Sequence, residues 1–241
     1  MVYDKILYKG DAMTSTLNDP WFKDEFHLTD NQLNQFETYY QYLVDQNQVM
    51  NLTAITEKID VYRKHFLDSL WLLKGMPEQA KTLLDVGSGA GFPSFPIKIV
   101  KPDKSIVIVD AQKKRIDFLS RLSDKIGIDA TLIHSRIEDY ELKNHFDVVT
   151  ARAVAKLPTL VEWCLPFVKV GGVFIAMKSI HYEEELAQSK NAISLLGGAN
   201  VHVFPYELDN ETTHVLIIIE KIKETPHNYP RSMAIMKKKP L

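Results

Sequence analysis

A chain of 241 residues, 45% hydrophobic and 25% charged, is long enough for one large α/β domain with a core of its own, and its composition excludes a disordered or low-complexity protein. A formal charge of -2 points to no nucleic-acid partner by itself, so any such partner has to be met by local basic patches. The single cysteine, Cys164, excludes a disulfide framework, and no Cys or His spacing suits a metal, so no metal site is expected.

Residues 1–20 show no periodicity, 1–27 is expected to be an irregular or partly helical segment, and Met1 to Ala12 are set aside from the fold. Thr29 and Asp30 are good N-cap types, and the spacing Leu33, Phe36, Tyr40, Leu43 predicts a helix with one apolar face. A second helix is expected around Asp60 to Lys74, with Tyr62, Phe66, Leu70 and Leu73 on its stripe; together these make 28–80 a helical extension. After Lys81 strands and helices alternate. Strands are expected at 82–86, 105–110, 130–134, 146–151, 172–177, 201–204 and 214–220, most of them nearly continuous apolar runs suited to a sheet buried on both faces. The clearest helix between them is 112–126, with Ile116, Leu119, Leu122 and Ile126 on one face and Gly127 as its stop. The pattern predicts a Rossmann-like, doubly wound, seven-stranded, mostly parallel sheet. About ten residues separate the last two strands, too few for a helical crossover, so an antiparallel edge pair is expected. The sheet domain is placed at 81–223 and a basic, irregular tail at 224–241. The longest purely aliphatic run, "VLIII" at 215–219, is far too short to span a bilayer, no secretory signal is visible, and a cytoplasmic protein is expected. The Asn-x-Thr sequons at Asn51 and Asn210 are then chance matches.

The stretch "LLDVGSGAGFPSFPIKIV" runs from the first strand into glycines at alternate positions, Gly87, Gly89 and Gly91. A phosphate-binding P-loop fails, because no lysine closes the loop and Lys98 comes too late. A dinucleotide loop is weakened by Phe92, which stands where a small residue lets the helix approach the sheet. A loop of G-x-G-x-G form, as S-adenosylmethionine enzymes use, fits directly. Asp110 ends the second strand 19 positions after Gly91, where a carboxylate can accept from both ribose hydroxyls; a helix-capping aspartate is the alternative. Glu138, in "HSRIEDY", stands where an adenine is commonly met, although a surface helix cap explains it nearly as well.

The acceptor is narrowed by what the sequence lacks. Cys164 lies among apolar neighbours and reads as core, so covalent attack on a pyrimidine is excluded. The Asn/Asp-Pro-Pro-aromatic motif of amino-methylating enzymes is replaced after the fourth strand by "TARAVAK", with Arg152 in its place. Such a site suits an acceptor that needs no deprotonation, such as guanine N7, with a cation reading O6 or phosphate.

The words "MNLTAIT" at 50–56, "HFLDSL" at 65–70, "DVGSGAGFPSFPIKI" at 85–99, "KKRIDFL" at 113–119, "SRIED" at 135–139, "TARAVAKL" at 150–157 and "MKS" at 177–179 span the chain from about Leu28 to the tail. In these the chain resembles the bacterial 16S rRNA guanine-N7 methyltransferases, the RsmG or glucose-inhibited division protein B family. The resemblance implies a class I S-adenosyl-L-methionine-dependent fold acting on 16S rRNA or the small ribosomal subunit, with no protein partner inferred. It implies cofactor contacts at Gly87, Ser88, Gly89, Ala90, Gly91, Phe92, Asp110, Arg136, Ile137, Glu138 and Arg152. Arg152 and Lys178 are the implied catalytic pair, with Asn51, His65, Asp68, Ser69 and Arg115 joining them on the substrate side. Three departures concern Ala111 after Asp110, Thr213 before the last strand, and a tail, "YPRSMAIMKKKPL", without the family's glycine. A small-molecule or protein acceptor for the same cofactor is the alternative; a non-catalytic RNA-binding module and an NAD-dependent oxidoreductase fit the residues less well.

Overall fold

The computed structural model describes residue 23, residues 26–208 and residues 213–241. The expectations for most of residues 1–27, and for the sequon at Asn210, lie outside the described residues.

Helix α1 (Asp30–Met50) opens on the Thr29 hydroxyl, which accepts from the Gln32 N–H while the Gln32 side chain accepts from the Thr29 N–H, a reciprocal cap. Its buried face is Phe36, Tyr39 and Leu43. Tyr39, one position from the expected Tyr40, is the buried tyrosine. The second helical segment comes in three pieces: α2 (Lys58–Val61), a π-helical turn (Tyr62–Leu67) and α3 (Asp68–Gly75). The wide turn lies across the "HFLDSL" word and alters which side chains share a face.

The sheet has seven strands in the order β3-β2-β1-β4-β5-β7-β6: β1 (Thr82–Val86), β2 (Ser105–Asp110), β3 (Thr131–His134), β4 (Phe146–Arg152), β5 (Val168–Ser179), β6 (Gly198–Glu207) and β7 (Thr213–Lys221). All pairings are parallel except those of β7, which runs antiparallel to both neighbours. The strand order reverses between β1 and β4, and the crevice at their carboxyl ends is where such sheets bind ligands. Between the strands come α4 (Ser94–Val100), α5 (Lys113–Ile126), α6 (Leu157–Cys164) and α7 (Glu183–Leu195), and α5 stops at Gly127 in left-handed conformation.

Alternate side chains of each strand enter two cores. Leu83 joins Phe36, Tyr39, Phe66, Phe95 and Phe118 on one face; Leu84 joins Leu160, Cys164, Phe174 and Ile217 on the other. The helical extension is thus one wall of the first core. The tail is not irregular throughout: after Tyr229, which is buried, come Arg231 and a short helix, α8 (Met233–Lys238), whose Met236 is buried. Arg231 donates to both carboxylate oxygens of buried Glu162 at 2.7 Å. No helix among the described residues is long and apolar enough to cross a membrane.

Candidate active site

The glycine loop leaves β1 at Val86, and Gly87, Gly89 and Gly91 all take positive φ. Tyr39 Oη reaches over from α1 and donates to the Ala90 carbonyl at 2.6 Å, while its ring stacks on Phe92. The loop is therefore braced by the extension. Beneath it, burial pushes the Asp85 carboxyl up to about 7, although Ser94 donates to it at 2.7 Å. Asp85 Oδ1 and Ser88 Oγ are buried without a hydrogen-bond partner among the described residues. A Cβ on Gly89 would meet nothing within 4 Å. Orphaned acceptor and hydroxyl groups buried at the glycine loop fit a polar, cationic ligand bound there, because each exacts a desolvation cost until a partner arrives.

Asp110 is engaged at both carboxylate oxygens. Oδ1 accepts from the Gln112 N–H at 2.8 Å at the start of α5, and Oδ2 faces the Gly89 N–H and Arg115 Nη1, both at 3.4 Å. Arg115 accordingly pairs on the Asp110 side rather than in the cleft below. Ile137 is buried in the turn after β3, and Arg136, exposed, lies 3.9 Å from Glu138.

Beside the loop a cleft of about 400 Å³ opens between Ile55, Lys64 and Asp68 of the extension and Arg152, Met177, Lys178 and His214 of the sheet. Arg152 ends β4. Its guanidinium donates to Asp68 Oδ2 at 2.8 Å, His65 Nδ1 at 2.9 Å, the Lys64 carbonyl at 3.0 Å, and the His65 carbonyl and Ser69 Oγ at 3.4 Å. Its face lies 5.6 Å from the Phe92 ring centre, which joins the cleft to the cofactor loop. Burial opposes ionisation of Asp68, but Arg152, His214 and Tyr206 outweigh it and hold its carboxyl below the usual range. His65 is pushed the other way, to about 4, by burial and by Arg152. His65 Nδ1 lies 2.9 Å from Arg152 Nη2 and 3.1 Å from the Lys64 carbonyl, and Nε2 lies 2.8 Å from Thr53 Oγ1. Lys178 pairs with Glu185 at 2.7 Å, and the same Glu185 oxygen accepts from the Leu157 N–H that opens α6.

His65, Asp68, Ser69, Arg152 and Lys178 are thus brought together as expected from the sequence. Asn51 is not: it is the left-handed C-cap of α1 and exposed, while Thr53 and Ile55 from the same loop reach the site. Tyr39, Tyr206, Glu185 and His214 were missed. Cys164 is buried in the second core, its thiol pushed up by burial and by Asp85.

Comparison with known proteins agrees with this geometry. Residues 32–215 match the model of the GidB family, described as rRNA small subunit methyltransferase G. The chain is 48% identical to ribosomal RNA small subunit methyltransferase G of Lactobacillus johnsonii over 225 residues, covering 90% of this chain and 94% of that one. It is 45% identical to the protein of the same name in Lactococcus lactis subsp. lactis, over the same shares of each chain. Among solved structures, a methyltransferase from Pyrococcus furiosus superimposes with a TM-score of 0.55 at 14% identity, over 78% of this chain and 99% of that one, a likeness of fold. The chain belongs to the rRNA small subunit methyltransferase G family and is a methyltransferase with a class I fold.

Proposed function

We propose that the protein transfers a methyl group from S-adenosyl-L-methionine to N7 of a guanine in 16S rRNA. The observation that carries the acceptor assignment is the pairing at the mouth. Of the cations lining the cleft, Arg152 and Lys178 are held by Asp68 and Glu185 and Lys64 by Asp60, and the carboxylate among the cleft residues is fully engaged. Among the described residues, no cleft carboxylate is left to take a proton from an amine. A ring nitrogen with an in-plane lone pair needs none, and guanine offers N7 and O6 side by side to a cation. Catalysis is then mostly a matter of holding the acceptor against the methyl group.

S-adenosyl-L-methionine, when bound, supplies an electrophilic methyl on a positively charged sulfur. Gly87, Ser88, Gly89, Ala90, Gly91 and Phe92 would form its floor, Asp85 and Asp110 would balance its charge and accept from its hydroxyls, and Arg136, Ile137 and Glu138 would flank its base. Burial of Asp85 and Asp110 keeps water from competing at these carboxylates. Lys178 and Arg152 orient the acceptor, and the Asp68 network keeps the arginine from wandering. Residues 28–80, 81–223 and 224–241 remain a useful division of labour, with the extension as acceptor wall and the sheet as cofactor platform.

The test is incubation with methyl-labelled S-adenosyl-L-methionine and either naked 16S rRNA or small subunits from cells lacking the gene, followed by identification of the labelled base. Label in 7-methylguanine is expected. RNA left unlabelled in both forms, despite measurable cofactor binding, would sink the proposal and turn the search to small-molecule or protein acceptors.

A further inference from the structure

His214, near the start of β7, carries a role that the cofactor loop and the cation pair leave open. It lines the cleft, and its Nδ1 lies 2.8 Å from Asp68 Oδ1. Asp68 is held ionised and can only accept, so Nδ1 carries a proton, and in the tautomer this fixes, the lone pair stands on Nε2. The ring is not free to turn over. Tyr206 meets it edge-on at 5.8 Å and donates to the same Asp68 oxygen at 2.7 Å. Among the cleft residues Arg152 and Lys178 can only donate, and both Asp68 oxygens are occupied. Nε2 of His214 is, among the described cleft residues, the orientationally fixed side-chain acceptor, the Ser179 hydroxyl being a rotor that turns to suit.

We infer that His214 Nε2 accepts the N1–H of the target guanine, which makes His214 a specificity-determining residue; the inference rests on the guanine-N7 reading above. The Watson–Crick edge of guanine carries a donor at N1, whereas adenine has a lone pair there. Facing Nε2, adenine sets lone pair against lone pair, and next to Lys178 and Arg152 it offers an exocyclic N–H₂ where guanine offers O6. Two mismatches exclude adenine although both bases present an N7. The contact also strengthens during reaction. No proton leaves when N7 is methylated, so the product base is positively charged, its N1–H grows more acidic, and the bond to Nε2 tightens toward the transition state.

The experiment compares wild type, His214→Asn and His214→Gln on 16S rRNA carrying guanine or adenine at the nucleotide that the wild type methylates. An asparagine amide overlays Nδ1 and keeps a donor for Asp68 but cannot reach the Nε2 position. A glutamine amide reaches that position and leaves Asp68 with fewer partners. The expected result is a kcat/KM on guanine about tenfold to a hundredfold lower in H214N, with kcat itself reduced. The preference for guanine over adenine should narrow by a similar factor, partial recovery is expected in H214Q, and thermal midpoint and cofactor affinity should match wild type in H214N. The opposite order, H214N near wild type and H214Q defective, would assign His214 to holding Asp68 and overturn the inference, as would an unchanged base preference. Loss of the H214N defect on RNA whose target nucleotide lacks its 2′-hydroxyl would put ribose in place of N1–H and overturn it too. A wild type that leaves guanine N7 unmodified overturns the underlying reading as well, and is recognised before any variant is compared.

Discussion

His65 is neutral in the folded protein because burial and the neighbouring Arg152 charge oppose its protonation. The unfolded chain takes up a proton there below pH 6.5, whereas the folded chain resists until about 4. The unfolded state therefore binds more protons in that window, so stability falls as pH drops through it and is fully present above it. Between pH 7 and pH 5 the part due to His65 is about 2 kcal/mol. His65→Gln, which cannot take up a proton, is expected to show a smaller fall in urea midpoint over that range than wild type; equal falls would mean that the imidazole is already charged when folded. The glycines separate stability from binding in a second way. At Gly91 an added Cβ would lie 2.6 Å from Tyr39 Oη and 3.0 Å from Leu119, whereas at Gly89 it meets nothing within 4 Å. Gly89→Ala is expected to cost about 1–2 kcal/mol of left-handed strain, yet to weaken S-adenosyl-L-methionine more than tenfold by calorimetry, because its methyl stands in ligand space. Gly91→Ala should instead lower the thermal midpoint strongly. Unchanged cofactor affinity in Gly89→Ala would move the ligand away from this loop.

At the scale of elements, the tail is held by Glu162 of α6. Arg231 caps this buried carboxylate with its backbone N–H at 3.1 Å and its side chain at 2.7 Å, and Lys143 donates to the Tyr229 carbonyl at 2.6 Å. Arg231→Met should cost about 3–5 kcal/mol, since it strands a buried charge rather than merely deleting a contact. Pairing it with Glu162→Gln should return much of the loss in the urea midpoint; a single variant as stable as wild type would mean that the tail is not bound in solution. This anchor explains what the sequence could not disclose: Glu162 lies 69 positions from Arg231, and nothing local in a proline-rich basic run points to it. The helices and strands were legible because their signals are local, as in the apolar stripe of α5 and the alternate entry of Leu83 and Leu84 into two cores. Strand ends were less so: the strand expected at 172–177 runs from Val168 to Ser179, through Gly171 and Gly172. Tyr39 displaced Tyr40 because a tertiary bond to Ala90 decided the face. Arg152 could be read from its place at the end of the fourth strand and Lys178 from the family resemblance, but His214 and Glu185 act through partners far away in sequence.

At the scale of the molecule, the extension and the sheet share one core and one cleft. Phe36, Tyr39, Leu43 and Trp71 pack in the same cluster as Ile106, Ile108 and Phe118, so neither side can bury its apolar face alone. The electrostatics point the same way: without the extension Arg152 loses Asp68, His65 and Ser69 together, and His214 and Tyr206 lose the carboxylate that orients them. Extension and sheet domain should therefore unfold in one transition despite the change in texture after Lys81. Trp71 in α3 and Trp163 in α6 report on opposite faces of the sheet. Variants keeping either one as the only tryptophan are expected to give urea midpoints that coincide with each other and with loss of far-ultraviolet dichroism. An earlier transition at Trp71 would show an extension that detaches while the sheet stays folded, and the acceptor cleft would then form only when the two dock. Coincident transitions mean that acceptor wall and cofactor platform are present together or not at all.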